Sequence, residues 1–167
     1  ILAEAIKFCR LYNNGYVTFV ELHKLITDTS YYFSKVNFLR DLFVSSNFSN
    51  RDIYELNECL NFFQNEFLCL DERTKGILVS EITRITTVFV SDYDVCSTFC
   101  PPKNKLNFDG FSDIIKNGKI VVLNINVSEY TFLSKIIATY LKLDFQTEVM
   151  SFLANNIPKK NIFVCDE

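Results

Sequence analysis

The 167-residue sequence contains no tryptophan, one histidine, four glycines and three prolines. Glycine and proline most often interrupt regular structure, so their scarcity favours long helices over a sandwich of many short strands. The single histidine, His23, has no evident nucleophile partner in the sequence. A Ser-His-Asp or Cys-His catalytic set is therefore not expected, and we expect His23 to be structural or at the surface.

Two longer signals are also missing. The sequence has no G-x-x-x-x-G-K-[ST] phosphate loop, and Gly118-Lys119 precedes a predicted strand instead of opening a helix. It also has no signal peptide and no apolar run long enough to span a bilayer. The chain begins within a helical pattern, without methionine, and stops directly after Asp166 and Glu167. We therefore expect it to be an excerpt of a longer protein.

Charge and cysteine content narrow the class of protein. A net charge of -3 does not attract duplex DNA as a whole, because polyanion binding needs clustered lysines and arginines. Three disulfides are arithmetically possible, but the cysteine spacing is irregular, and we expect reduced, mostly buried thiols in a cytosolic protein. Cys96 and Cys100 have too few nearby ligands for a zinc site. The six cysteines are Cys9, Cys59, Cys69, Cys96, Cys100 and Cys165.

Apolar residues recur at helical spacing over the first hundred positions. Asn14-Gly15 ends the first predicted helix, Thr18 begins the second with Glu21 completing a capping box, and Asp71 caps the last. Pro101-Pro102 forbids continued helix and marks a boundary, which gives domains 1–103 and 104–167. The first is predicted to be an orthogonal or bundle-like all-α domain. Its helices are predicted near 1–12, 18–26, 31–44, 51–68 and 71–89, and 90–98 is predicted as a connector.

The segment around Gly15 imitates a calcium-binding loop. Gly15, Val17 and Glu21 have the spacing of the glycine, the apolar residue and the final glutamate of an EF-hand. The same register places Arg10 and Tyr12 where oxygen ligands are required. Because a cation at the first position repels calcium, the sequence favours helix–turn–helix packing here.

The last fifty residues predict a strand–helix–strand unit. A short helix at 109–116 ends at Asn117-Gly118, and the apolar run 119–127 is predicted to be a strand covered on both faces. Ser128 is predicted to cap the next helix, and 162–165 to be a second strand, parallel to the first with a right-handed crossover. The helix has a wide apolar stripe that we expect to be buried: Phe132, Leu133, Ile136, Ile137, Tyr140, Leu141, Phe145, Val149 and Met150.

Two acids, Asp166 and Glu167, follow the second predicted strand. Open parallel sheets bind ligands at the carboxyl ends of their strands. An apolar strand that ends in Asp-Glu is typical of a Walker B motif, in which the aspartate holds hydrated magnesium and the glutamate polarises the attacking water. We therefore predict that Asp166 binds the metal ion of a Mg-nucleotide through water. We predict that Glu167 is the catalytic residue. The alternative is two solvated loop carboxylates.

Several segments resemble the TraG/TraD-type coupling-protein ATPases of conjugative type IV secretion. They are Gly118-Lys-Ile-Val-Val-Leu-Asn-Ile125, Leu141-Lys-Leu-Asp-Phe-Gln146, Ile162-Phe-Val-Cys-Asp-Glu167, Asp71-Glu-Arg-Thr-Lys-Gly-Ile-Leu-Val-Ser80 and Phe108-Asp-Gly-Phe-Ser-Asp113. The resemblance covers 71–167. It implies an all-α domain inserted between the phosphate loop and the Walker B strand of a RecA-like P-loop motor. The expected fold is thus mainly α, followed by a parallel β-α-β segment of that motor.

The resemblance also implies a function. The parent would be a hexameric ATPase that uses ATP and magnesium, is anchored at the inner face of the cell membrane and contacts DNA. Its cytoplasmic all-α domain would recognise a relaxosome or a secreted protein substrate. Without a Walker A loop, this chain is not expected to hydrolyse ATP alone. The alternatives are a stand-alone helical interaction module without nucleotide chemistry, and another RecA-like motor such as a DNA translocase or helicase.

Overall fold

The computed structural model describes residues 1–45, 48–124, 126–154 and 160–164. It is mainly helical, with 74% helix and eight α-helices over these ranges. Contacts divide the chain into two units, Ile1–Lys105 and the residues from Leu106 onward. The division lies two residues beyond the boundary predicted after Lys103.

The first unit contains six α-helices among its described residues. A π-helical stretch, Phe62–Phe67, continues α4, and a 3-10 turn, Lys103–Lys105, closes the unit. The predicted all-α character of this part is confirmed. The helices are α1 Leu2–Tyr12, α2 Phe19–Thr27, α3 Thr29–Ser45, α4 Asn50–Asn61, α5 Glu72–Ser91 and α6 Tyr93–Phe99.

Local signals in the sequence account for several helix ends. Thr18 and Glu21 form the predicted capping box at the start of α2. The Asp71 side chain accepts a hydrogen bond from the Thr74 backbone N–H, at 3.0 Å, at the start of α5. After α1 the backbone of Gly15 has a φ of 83°, a left-handed conformation that glycine adopts without steric cost.

The core of the first unit is built around three aromatic rings from three elements. Phe8 of α1, Tyr32 of α3 and Phe63 of the π-helical stretch are all buried. Their ring centroids lie 5.6 Å (Phe8–Tyr32), 5.9 Å (Phe8–Phe63) and 5.1 Å (Tyr32–Phe63) apart. Aromatic pairs in this range contribute about 0.5–1.5 kcal/mol beyond area burial. The cluster therefore joins α1, α3 and the end of α4.

A second contact joins α2 to α5. Phe19 and Phe89 stack with their ring centroids 4.2 Å apart. The final residues of the unit return to the turn between α1 and α2, where the Tyr16 hydroxyl donates to the Pro101 carbonyl and Lys103 Nζ donates to the Asn14 carbonyl at 2.9 Å. The polypeptide thus leaves the first unit from a defined position.

The second unit contains two helices among its described residues, α7 Phe111–Asn117 and α8 Thr131–Ala154. Gly118 ends α7 in the left-handed conformation, with a φ of 63°, which agrees with the predicted end at Asn117-Gly118. Phe111 and Ile115 of α7 pack against Phe152 of α8, and Leu141, Phe145 and Val149 extend this core.

Two predictions about helix positions are wrong. The connector predicted at 90–98 contains most of α6, because the Asp92 side chain accepts from the backbone N–H groups of Asp94 and Val95 and caps a helix there. The helix predicted to start after Ser128 begins at Thr131, because residues 127–129 form a turn.

The parallel β-α-β prediction is not supported. None of 119–124, 126–127 and 160–164 is a strand. Instead these residues have no regular strand structure and are exposed, with Ile120 91% and Ile162 86% accessible. A strand exists only when its backbone N–H and C=O groups pair with a neighbour. No strand pairing is present in the described residues of these runs.

The central ring of the first core gives a direct stability test. Replacing Phe63 by alanine removes a buried ring that touches both Phe8 and Tyr32, so we expect Phe63→Ala to lower the free energy of unfolding by about 3–5 kcal/mol. Tyr93→Ala is the matched control, since Tyr93 is 85% exposed, and should change it by less than about 0.5 kcal/mol. Urea denaturation followed by far-ultraviolet circular dichroism measures both, and similar losses in the two variants would contradict the assigned core.

Candidate functional site

The two predicted site residues, Asp166 and Glu167, lie outside the described residues, as does Cys165. The structure therefore places neither carboxylate. It does describe 160–164, the segment that leads to them, and the helices beside it.

Side-chain exposure alternates along the segment before the acids. Ile162 and Val164 are 86% and 80% exposed, whereas Phe163 between them is 43% exposed. The run after α7 behaves likewise, since Ile120 and Val122 are 91% and 83% exposed and Val121 and Leu123 are 46% and 47% exposed. Alternation with a period of two residues is the pattern of extended backbone that is covered on one side.

Phe145 of α8 positions the C-terminal segment. Its ring lies 5.4 Å from the ring of Phe163 and 5.4 Å from that of Phe111 on α7. Phe145 therefore contacts α7 and the segment that leads to the acids. The half-covered side of that segment faces α8.

The first extended run is fixed at its start by an ion pair. Lys119 Nζ lies 2.6 Å from Asp113 Oδ2 of α7, and Asn117 also donates to Asp113. The hydrogen bond from Lys119 lowers the pKa of the Asp113 carboxyl. With Gly118 turning the backbone, the pair directs the polypeptide from α7 into the run at 120–123.

His23 has a packing role in the first unit. Its Nδ1 lies 2.8 Å from the hydroxyl oxygen of Thr86, a buried residue of α5. The Thr86 hydroxyl donates to the Ile82 carbonyl at 3.2 Å, so it accepts from the His23 Nδ1–H. The histidine links α2 to α5, in agreement with the structural role predicted for it.

The loop that imitates an EF-hand uses its glutamate for capping. The Glu21 carboxylate accepts from the Asn13 side-chain amide at 2.9 Å and from the Thr18 backbone N–H at 3.2 Å. Through these hydrogen bonds the carboxylate links the start of α2 to the end of α1. Across the described ranges, no cluster of three or more His, Cys, Asp or Glu side chains is arranged to hold a metal ion.

The five described cysteines are all free thiols. Cys9 and Cys59 are fully buried, and burial raises the pKa of each to about 12. At Cys100, burial raises the pKa while the N–H groups of Phe19 and Val20 act in the opposite direction. Cys69 is exposed and Cys96 is half-buried, so the expected free thiols are found but only two of the five are fully buried.

An acidic groove of about 300 Å³ lies on the first unit, between α1 and the α4 region. Lys7 pairs with Glu4 at 2.8 Å, and Arg51 pairs with Glu55 at 2.9 Å. Sequence reasoning missed this groove because its residues come from separate helices, and the only local signal is the i,i+3 spacing of Glu55 and Glu58. The groove is lined by Glu4, Lys7, Tyr54, Glu55, Glu58, Asn61, Phe62 and Glu66.

The cysteine environments predict an order of thiol reactivity. Alkylation requires the thiolate, and the raised pKa values of Cys9 and Cys59 suppress thiolate formation at these two residues. We expect iodoacetamide at about pH 8 to modify Cys69 at least about 100-fold faster than Cys9 or Cys59 in the folded chain. Peptide mass spectrometry measures the rates, and the urea-unfolded chain, in which all three should react alike, is the control. Equal rates in the folded chain would contradict the burial of Cys9 and Cys59.

Comparison with known proteins identifies no relative: no protein-family model matches the chain, and neither a curated protein nor a solved structure is detectably similar to it. No helix in the described part of the chain has the length and apolar character needed to cross a membrane.

Proposed function

We propose that the chain is part of a conjugative type IV secretion coupling ATPase. In this proposal, the first unit is the all-α domain that recognises a transfer substrate. The second unit is the part of the RecA-like motor that ends at the Walker B acids. The parent protein is a hexamer anchored at the inner face of the membrane, and both units lie on its cytoplasmic side.

The observation that carries the proposal is the alternating exposure of the two apolar runs that flank α8. Their less exposed residues are half covered, and Phe163 contacts α8 through Phe145. Their other side is apolar and open to solvent. Strands of parallel sheets are apolar on both sides, since helices cover both faces of such sheets. The runs therefore have the composition and the alternating exposure expected of strands that would pair within a larger sheet of the parent.

The acids after the second run would then lie at the carboxyl edge of that sheet. Carboxylate oxygens suit magnesium, which prefers hard oxygen ligands and keeps several waters. Asp166 would hold the hydrated ion through water, and Glu167 would orient and deprotonate a water molecule. Magnesium supplies charge neutralisation for the ATP phosphates when it is bound. The phosphate loop must come from another part of the parent.

The acidic groove supports the substrate-recognition part of the proposal. Four carboxylates and one ammonium line it, so it favours cationic groups of a protein over nucleic-acid phosphates. A relaxase or another secreted protein could present such groups. Any contact of the parent with DNA would then involve other surfaces.

The alternative is a stand-alone helical interaction module. The absence of a strand in 119–124 and 160–164 favours it, because the module needs no sheet. The ATPase requires the C-terminal acids for turnover and the two apolar runs as strands of the parent's sheet. The interaction module requires neither.

The first test concerns Glu167 in the full-length parent. Glu167→Gln removes the base and retains the size of the side chain, so we expect ATP turnover to fall by about 10²–10⁴-fold while nucleotide still binds. The matched control is Asp109→Asn, an exposed carboxylate of the same unit, which should leave turnover unchanged. Steady-state phosphate release and binding of a fluorescent nucleotide are the measurements. Undiminished turnover in Glu167→Gln would exclude the Walker B assignment.

The second test concerns strand formation. Backbone amides of 120–123 and 162–164 should exchange rapidly with solvent in this chain alone, because their side chains are exposed and no strand pairing protects them. In the full-length parent, pairing within a sheet should slow their exchange by at least about 100-fold. Hydrogen–deuterium exchange with mass spectrometry measures both, with the α5 amides as a reference protected in each sample. Rapid exchange in the parent would support the stand-alone module.

A further inference from the structure

The helix α8 has a second apolar stripe on the side away from α7. Phe132, Leu143, Met150 and Leu153 are 44%, 58%, 65% and 56% exposed, and Ile136 is half-buried among them. Together with Thr139 and Gln146, these residues follow the alternating four- and three-residue spacing of a heptad seam. The residues that pack on α7, such as Leu141 and Phe152, lie on the opposite side of the helix at 100° per residue.

The length of this stripe suits pairing with another helix. α8 has 24 residues and is about 36 Å long. The seam extends over about three heptads, the minimum length at which a heptad pattern indicates coiled-coil packing. Thr139 and Gln146 occupy two of its interior positions, where a polar side chain specifies the register and the choice of partner.

The charges beside the stripe indicate the chemistry of that partner. Lys135 and Lys142 are exposed and seven residues apart, so both lie along the same edge of the seam, just before Ile136 and Leu143. Neither has a carboxylate partner within the described part of the chain. The acids of α8, Asp144 and Glu148, are half-buried and lie away from this edge. The edge therefore favours carboxylates on a helix that packs against it.

We propose that the outer face of α8 docks an amphipathic helix of a partner protein, one that carries acidic residues along the edge of its apolar stripe. Apolar residues of that helix pack between Phe132, Leu143 and Met150. Its carboxylates pair with Lys135 and Lys142. A second copy of this chain fits less well, because in an antiparallel pair these lysines face each other, and in a parallel pair they face Tyr140 and Thr147. The docking surface is independent of the nucleotide site proposed above.

The test uses the 167-residue chain and two synthetic helical peptides. Both peptides have leucine and isoleucine at the seam positions; one has glutamates at the flanking positions and the other has lysines. Fluorescence anisotropy should show the glutamate peptide binding at least about tenfold more tightly at low salt, since it forms ion pairs where the other peptide meets like charge. The double substitution Lys135→Glu and Lys142→Glu should reverse the preference.

Leu143→Asp should weaken binding of the glutamate peptide by at least about tenfold, because it places a charge in the centre of the seam. Ile77→Asp is the matched control: Ile77 is 57% exposed on α5 of the first unit, and its replacement should leave binding unchanged. Circular dichroism checks that both variants keep their helix content. Equal affinity for the two peptides, or no binding of either, would overturn the proposal. So would a dimer in light scattering that Leu143→Asp converts to monomer, because the occupant would then be a second copy.

Discussion

The ring of Phe145 is the contact on which the second unit depends. It lies against Phe111 of α7 and against Phe163 of the C-terminal segment. The contact with Phe163 places the C-terminal segment beside α8. The packing of α8 therefore bears on the position of Phe163 and of the segment that leads to the predicted acids.

The helices of the first unit could be predicted from sequence because their signals are local. The capping box at Thr18 and the cap at Asp71 each involve residues three apart, and apolar spacing identifies the faces that pack inward. The missed helix α6 had the same kind of signal. Asp92 precedes it and caps it, but only seven residues follow before the helix ends, and so short an apolar pattern does not show helical periodicity.

The two strands predicted from the sequence are absent from the described residues, because strand pairing is not a local property. Ile120 to Leu123 are consecutive apolar residues, and such a run indicates extended backbone that is suited to burial. Whether the run becomes a strand depends on a neighbour that supplies hydrogen-bond partners, and residues distant in sequence decide this. The acidic groove was missed for a related reason, since Glu4 and Glu66 come together only after α1 packs on the α4 region.

The wide apolar stripe of α8 shows that an apolar pattern in the sequence does not by itself determine which side chains are buried. Phe132, Tyr140 and Met150 were expected in the core together with Phe145 and Val149, yet these three are exposed. A helix that is apolar around most of its circumference is normally covered around most of it. In the described residues α7 and Phe163 contact one side of α8 only. The stripe on the other side is therefore best explained as a second packing surface. Lys135 and Lys142 beside it favour a helix with acidic residues over the other elements that could pack on an apolar face.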